Sequence, residues 1–263
     1  MSFLSDILRR KRDELEAARR AMPDRELAAR AKDVPAARGF EAALSLAGGP
    51  VRVIAEVKRA SPSAGAIRAG LDAPAQARAY AAAGAAAISV LTDGPGFGGS
   101  LADLAAVRAE VDLPLLRKDF VLDRYHLLEA RAHGADAALL IVAALEPARL
   151  AALVQACGEL GLAALVEVHE EPEVEVALEA GARIVGVNNR NLRTFEVDLA
   201  VSERILPALP VDVRGVAESG VRTAEDARRL RRAGAANLLV GEALVRAPDP
   251  GALLREMVGD PRA

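Results

Sequence analysis

Residues 51–65, VRVIAEVKRASPSAG, decide the fold. The stretch opens as an apolar run, with Val51, Val53, Ile54 and Ala55, and ends in Glu56 and Lys58 before a Ser-Pro-Ser loop. A strand that is apolar without alternation is buried on both faces, as in a parallel sheet covered by helices. An open doubly wound sheet usually carries a GxGxxG turn after its first strand, and KRASPSAG does not match it. Working outward, seven more short apolar runs follow: AAISVL, LPLLRK, ADAALLIV, LAALVEV, RIVGVN, VDVRGVAE and NLLVG. Helical patterns such as DAPAQARAYAAAG, LADLAAVRAEV, DRYHLLEARAHG and TAEDARRLRRAG lie between them. Eight strand–helix units in roughly 250 residues predict an α/β fold of the (β/α)8 TIM-barrel type.

A repeat supports this count. Gly84-Ala85, Gly134-Ala135, Gly181-Ala182 and Gly234-Ala235 are spaced by 50, 47 and 53 residues. Each pair is placed to close a helix with a left-handed glycine before the second, fourth, sixth and eighth strands. The fifty residues before Val51 read as an N-terminal helical extension, with helices around 3–19, 24–31 and 40–47 punctuated by Pro23 and Pro35. Residues 1–263 are therefore expected to form one domain, with 1–50 the extension and 51–263 the barrel.

Composition narrows the function. The chain has 263 residues, 52% hydrophobic and 27% charged, with 3% aromatics and no Trp, so its core is built from Ala, Val, Leu and Ile. A net charge of -3 argues against nucleic acid or an acidic membrane as partner. The runs RRKRDE and ARRLRRAG read as solvated helix faces. The N-terminus lacks the apolar core of a secretory signal, and no apolar run is long enough to span a membrane. The single cysteine, Cys157, allows no intrachain disulfide, which is compatible with a cytoplasmic location. Cys157 reads as helix packing, and His126 and His133 as surface residues within a helix. The three histidines show no ligand spacing with Cys157, so no metal site is expected. No obligate protein partner is evident.

Chemistry in such a barrel sits at the C-terminal ends of the strands. The first strand ends in Glu56 and Lys58, the third in Lys118 and Asp119, and the fifth in Glu167 and His169. The sixth ends in Asn188 and Arg190, the seventh in Glu218 and Ser219, and the eighth in Gly241 and Glu242. The fourth offers nothing reactive. Side chains at i and i+2 share a face, so Glu56 and Lys58 should point inward with Ile54. An isolated E-x-K at a strand end is ordinarily a surface ion pair, but here other strands end alike. Burying such a cluster costs several kcal/mol per unpaired ion, which a structural role rarely justifies. Gly220 and Gly241, each at a strand end that leads toward a helix, suggest a phosphate cradle; ordinary turn glycines are the alternative. Ser61 and Ser63 offer further hydroxyl donors. Phe97 and Phe120, in the loops after the second and third strands, read equally as core or as a stacking surface for a flat substrate.

Taken together, these segments resemble the indole-3-glycerol phosphate synthase family over nearly the whole chain. EVKRASPS, RKDF and NNRNL in combination are specific to it, and VAESGV and LLVGEAL agree. The resemblance implies a carboxy-lyase of tryptophan biosynthesis. Its substrate is a sugar phosphate, 1-(2-carboxyphenylamino)-1-deoxyribulose 5-phosphate, converted to indole-3-glycerol phosphate with loss of CO2 and water and no cofactor. It implies Lys118 as general acid for ring closure. Glu167, Lys58 and Glu56 share the later acid and base roles. Asn188 and Arg190 hold the substrate. Ser219, Gly220, Gly241 and Glu242 hold the phosphate with Ser61 adjacent, and Phe97 and Phe120 line the aromatic ring. An acid lysine must lose its proton in turn, so desolvation and neighbouring cations are expected to lower its pKa. Two rivals stay open on the residues alone: a Schiff-base aldolase using Lys118 or Lys58, and a non-catalytic phosphate-binding barrel that regulates a partner.

Overall fold

The structure is a computed structural model and describes residues 3–259, so residues 1–2 and 260–263 of the expected domain lie outside the described residues. The eight apolar runs are the eight staves of one closed parallel barrel. They are β1 Arg52–Val57, β2 Ala87–Leu91, β3 Leu115–Lys118, β4 Ala137–Ile141, β5 Ala163–Val168, β6 Ile184–Asn188, β7 Arg214–Glu218 and β8 Asn237–Val240. β1 closes the ring by pairing with both β2 and β8, with Ile54 opposite Ala87 and Leu239. A short antiparallel ladder, Ala60–Ser61 with Gly65–Ala66, stiffens the loop after β1.

Alternation along each strand sorts the core into two layers. Val53, Ala55 and Val57 of β1 join the layer between sheet and helices. Ile54 joins Ala87, Leu116, Leu139, Leu165, Ile184, Val216 and Leu239 inside the barrel. Inward positions two residues further along therefore fall at the C-terminal mouth.

Local chemistry sets the outer helices. Asp72, Ser100, Asp123 and Thr223 each cap a helix by accepting a backbone N–H bond, over Ala73–Ala82, Leu101–Glu110, Arg124–Ala132 and Ala224–Arg232 respectively. Gly84, Gly134, Gly181 and Gly234 all have positive φ, between 83° and 98°. This is the left-handed closure that their spacing predicts.

Three helices precede the barrel: α1 Phe3–Ala21, α2 Asp24–Asp33 and α3 Phe40–Ala43. The third is shorter than expected, because the chain turns extended at Leu44. Asn237 then binds both the N–H and the C=O of Ser45, at 2.8 Å each. Phe40 and Leu44 thereby plug the N-terminal end of the barrel.

α1 departs from the expected solvated face. Ile7, Lys11 and Leu15 form its buried stripe. Lys11 Nζ lies 2.6 Å from Asp93 and 2.8 Å from Asp119, both buried at the barrel mouth. Arg10 forks onto Asp93 at 2.9 and 3.0 Å. The run RRKRDE is thus half a docking surface. In ARRLRRAG, Arg228, Arg229 and Arg232 are exposed and pair with Glu225 and Glu203, as expected of a solvated face.

His126 also differs from expectation. It is buried, its Nδ1 accepts from Leu122 N at 3.1 Å, and its C=O accepts from Arg117 at 2.6 Å. Burial and the Arg117 charge push its pKa down to about 3, so it stays neutral. His133 caps the end of the same helix, half-buried. Cys157 is buried packing, its thiol pushed up to about 12 by burial.

Candidate active site

A cavity of about 730 Å³ opens at the C-terminal mouth. Every expected site residue lines it: Glu56, Lys58, Ser61, Phe97, Lys118, Phe120, Glu167, Asn188, Arg190, Ser219, Gly220, Gly241 and Glu242. Leu139 and Ile141 of β4 supply an apolar wall, in keeping with a strand that ends in nothing reactive.

The floor is a charge cluster. Lys118 Nζ lies 3.1 Å from Glu167 Oε2 and 3.3 Å from Glu218 Oε2. Lys58 Nζ lies 3.0 Å from Glu56 Oε1, and Ser89 Oγ donates to Glu56 Oε2 at 3.3 Å. Glu56 and Lys58 therefore share the inward face, as their i, i+2 spacing requires. Two glycines make room for these carboxylates. A Cβ at Gly241 would come within 2.5 Å of Glu56 Oε1, and one at Gly186 would collide with Glu218 Oε1.

Electrostatics here reverse one expectation. Burial lowers the Lys118 pKa, but attraction to Glu167, Glu218 and Glu56 outweighs burial and carries it above the ordinary lysine range. The neighbours are carboxylates rather than cations. Glu167 moves the other way: burial raises it, but Lys118 and His169 hold it well below the usual carboxylate range. Glu218 is the third carboxyl around one ammonium. Burial, opposed by Lys118 and reinforced by Glu167 and Glu56, pushes it up to about 8. The shift is toward the protonated form, and its Oε1 is buried without a hydrogen-bond partner.

Sequence reasoning misses Asp93, and it names Glu218 among the strand ends without a role. Glu218 stands among the strand ends, but nothing local separates it from the other acids. Its role appears only when β7 and β3 face each other across the barrel. Asp93 follows β2 in a turn-like LTDGPG and gives no local signal. Lys11 does: it occupies the middle of an i, i+4, i+8 apolar stripe.

The upper walls are aromatic and glycine-rich. Phe97 and Phe120 pair at 6.2 Å between centroids, and Phe3 meets Phe195 edge-on at 5.1 Å. Asp119 holds Phe120 in place by accepting its backbone N–H at 2.8 Å. Ser219 has φ of 64°, an uncommon conformation for a non-glycine residue, and Gly220 follows at 86°. Asn189 pins this bend by donating to Ser219 O at 3.0 Å. Gly241 precedes the short helix Glu242–Arg246, where Glu242 pairs with Arg246 at 2.9 Å. Arg190 donates to Phe195 O at 3.1 Å, and Asn188 Oδ1 accepts from Arg190 N at 3.0 Å. Ser61 Oγ accepts from Ala64 N at 3.2 Å, which folds the loop after β1 over the mouth. Among the described residues no group of His, Cys, Asp and Glu is arranged to hold a metal, and no helix is long and apolar enough to cross a membrane.

The profile of the family described as indole-3-glycerol phosphate synthase matches residues 4–257. A protein of that name from Micrococcus luteus is 51% identical over 260 residues, covering 97% of this chain and 96% of its own. One from Chlorobium phaeovibrioides is 50% identical over 244 residues, covering 93% and 95%. Solved barrels are similar in fold alone. A thiamine phosphate pyrophosphorylase from Pyrococcus furiosus superposes with a TM-score of 0.60 at 17% identity, over 79% of this chain and 93% of its own. A 3-hexulose-6-phosphate synthase superposes at 0.60 and 21% identity, over 80% and 98%.

Proposed function

Because the chain belongs to the indole-3-glycerol phosphate synthase family, we propose that the charged floor of its barrel carries the steps of that reaction. The chain is a carboxy-lyase of tryptophan biosynthesis. It converts 1-(2-carboxyphenylamino)-1-deoxyribulose 5-phosphate to indole-3-glycerol phosphate by ring closure, decarboxylation and dehydration. In this reading residues 1–263 work as one unit, with 1–50 closing the two ends of the barrel formed by 51–263.

The observation that carries the assignment of roles is Lys118, an ammonium set among buried carboxyls from separate strands. In ring closure the aromatic carbon that bears the carboxylate attacks the ketone carbon, and the ketone oxygen takes a proton from Lys118. CO2 then leaves, and its bonding pair restores the aromatic ring. Finally the hydroxyl departs as water with a second proton, while the adjacent methylene gives one up. Overall one proton is consumed for each substrate carboxylate lost as CO2.

A tightly held lysine proton suits the first step, because the developing alkoxide is a stronger base still. Glu218, protonated and 3.3 Å away, can then return a proton to Lys118. Glu167, held ionised, is the base that takes the methylene proton. Lys58, paired with Glu56, protonates the leaving hydroxyl in this reading. Asn188 and Arg190 hold the substrate oxygens and carboxylate. Ser219, Gly220, Gly241 and Glu242, with Ser61 adjacent, form the phosphate end through backbone N–H groups, and the Phe97–Phe120 pair covers the aromatic ring. This set of groups needs no metal or organic cofactor. The partner in this reading is the sugar-phosphate substrate, and the place of action is the cytoplasm.

The test is to supply the carboxyphenylamino substrate to the purified protein and follow indole fluorescence together with CO2. The reading expects both in equal amounts from wild type, and from Glu167→Gln CO2 without matching indole fluorescence, because the base acts after CO2 has left. Product from Glu167→Gln at the wild-type rate would remove the base from this scheme.

A further inference from the structure

Behind Glu167, outside the cavity lining, lies a residue for which the scheme has no use. His169 follows β5, and its side chain is 10% exposed. Its Nε2 lies 3.3 Å from Glu167 Oε1, and its Nδ1 lies 3.7 Å from Glu173 Oε2. Neither ring nitrogen has a hydrogen bond of good geometry, so the ring sits between two carboxylates as a charge. Glu173, on the helix Glu171–Glu179, also accepts the backbone N–H of His169 at 2.6 Å, which fixes the residue from the helix side.

Glu167 thus meets two cations on different oxygens: Lys118 on Oε2 from the cavity side, His169 on Oε1 from behind. We infer that His169 is a positioning residue, which holds Glu167 Oε1 from outside the cavity so that Oε2 is presented to Lys118 and the substrate. The inference rests on the proposed role of Glu167 as base.

The surrounding charges agree. Glu167 faces Lys118 of β3, Glu218 of β7 and His169. Glu56 of β1 stands nearby, paired with Lys58. Glu218 and Glu56 are acids, so they oppose ionisation of Glu167 when charged, and Lys118 is shared among all three. His169 is the one cation facing Glu167 whose partners include neither Glu218 nor Glu56. His169 itself faces Glu167 and Glu173. Burial lowers its pKa, but these two carboxylates outweigh burial and lift it to about 10, so it is an imidazolium throughout the physiological range. The linkage is reciprocal: whatever His169 does to the ionisation of Glu167, Glu167 does to His169.

That reciprocity gives a test independent of turnover. The chain has three histidines, His126, His133 and His169, so imidazole resonances can be assigned by single substitutions. NMR titration of wild type should show His169 charged up to pH 9. In Glu167→Gln its midpoint should fall by a pH unit or more. A midpoint near 6.5 in wild type, or no change in Glu167→Gln, overturns the inference whatever Glu167 does in catalysis. Kinetics give the second arm. His169→Gln keeps a donor near the Nε2 position and removes the charge. It should lower kcat about tenfold with KM within twofold, because the misplaced carboxylate matters in the transition state. A kcat within twofold of wild type, or a rise in KM alone, also overturns it. If His169→Gln does not fold, Glu173→Gln should lower the His169 midpoint in the same direction, and an unmoved midpoint there counts against the inference equally.

Discussion

Lys11→Met isolates the ion pairs that hold α1 on the barrel. Methionine keeps the buried stem and the apolar stripe with Ile7 and Leu15 and removes only the charge. Lys11 Nζ bridges Asp93 Oδ1 at 2.6 Å and Asp119 Oδ1 at 2.8 Å, and neither side chain exposes more than 2% of its surface. Removing one member of a buried pair costs about 3–5 kcal/mol, because a charge is left without compensation. Here each carboxylate keeps a second cation. Arg10 stays on Asp93, and Arg117 stays on Asp119 at 3.0 Å, with Thr92 donating to the same Asp119 at 2.6 Å. The loss should therefore lie at the low end, about 3 kcal/mol. For a chain of this size that is a fall in Tm of roughly 6–12 °C.

The pH dependence has a sign. Burial raises the Asp119 pKa, but Arg117 and Lys11 outweigh it and hold the carboxyl well below the usual range. A depressed carboxyl stabilises the fold above its unfolded pKa, and that contribution is lost as pH falls through the folded value. Lys11 supplies part of this depression, so the gap between wild type and Lys11→Met should be full at pH 7 and shrink steadily below about pH 4. Urea unfolding and thermal melts at pH 7 and pH 2 measure it. A gap of at most about 1 kcal/mol at pH 7, as for an exposed pair, or a gap that does not change with pH, refutes the reasoning.

Three further outcomes follow from the site. Glu218, protonated below about 8, should place an alkaline limb near that pH on kcat, absent in Glu218→Gln. Its raised pKa favours the fold fully below the unfolded value and is lost as pH rises toward 8, so Glu218→Gln should melt above wild type at pH 8.5 and beside it at pH 4.5; the reverse order contradicts the shift. Glu56→Gln should lower kcat about 10²-fold or more yet melt no lower than wild type, because it removes one of the charges that destabilise ionised Glu218. Unchanged kcat with a lower Tm would make the Glu56–Lys58 pair structural. Inorganic sulfate should compete with substrate and appear in soaked crystals beside Gly220 and Gly241; a crystal with no anion there removes the phosphate cradle. Replacing Gly220 is a poorer probe, because a Cβ would approach Val197 to 2.5 Å and Leu199 to 2.9 Å.

The barrel was legible because its signals are local. Eight apolar runs and four Gly-Ala closures each act within a few residues of their own position. The inward face of Glu56 and Lys58 follows from strand periodicity alone. What was not legible depends on partners far along the chain. The direction of the Lys118 shift required Glu167 and Glu218 to arrive from two other strands. Burial of His126 required Arg117 to reach under its helix, and the docking of α1 required Asp93 and Asp119 to meet one ammonium. The α3 plug ends at Ala43 rather than near residue 47 because Asn237, almost two hundred residues later, binds Ser45.

In the proposed reaction Lys118 delivers the proton that closes the ring. Single-turnover formation of indole-3-glycerol phosphate by wild type, Lys118→Arg and Lys118→Met measures it most directly, since product release is excluded. Arginine keeps the charge but holds its proton at every working pH. Both variants should lose the chemical rate by about 10²-fold or more while still binding substrate. A Lys118→Arg enzyme that closes the ring at the wild-type rate would show that position 118 supplies charge alone, and that the acid lies elsewhere in the cluster.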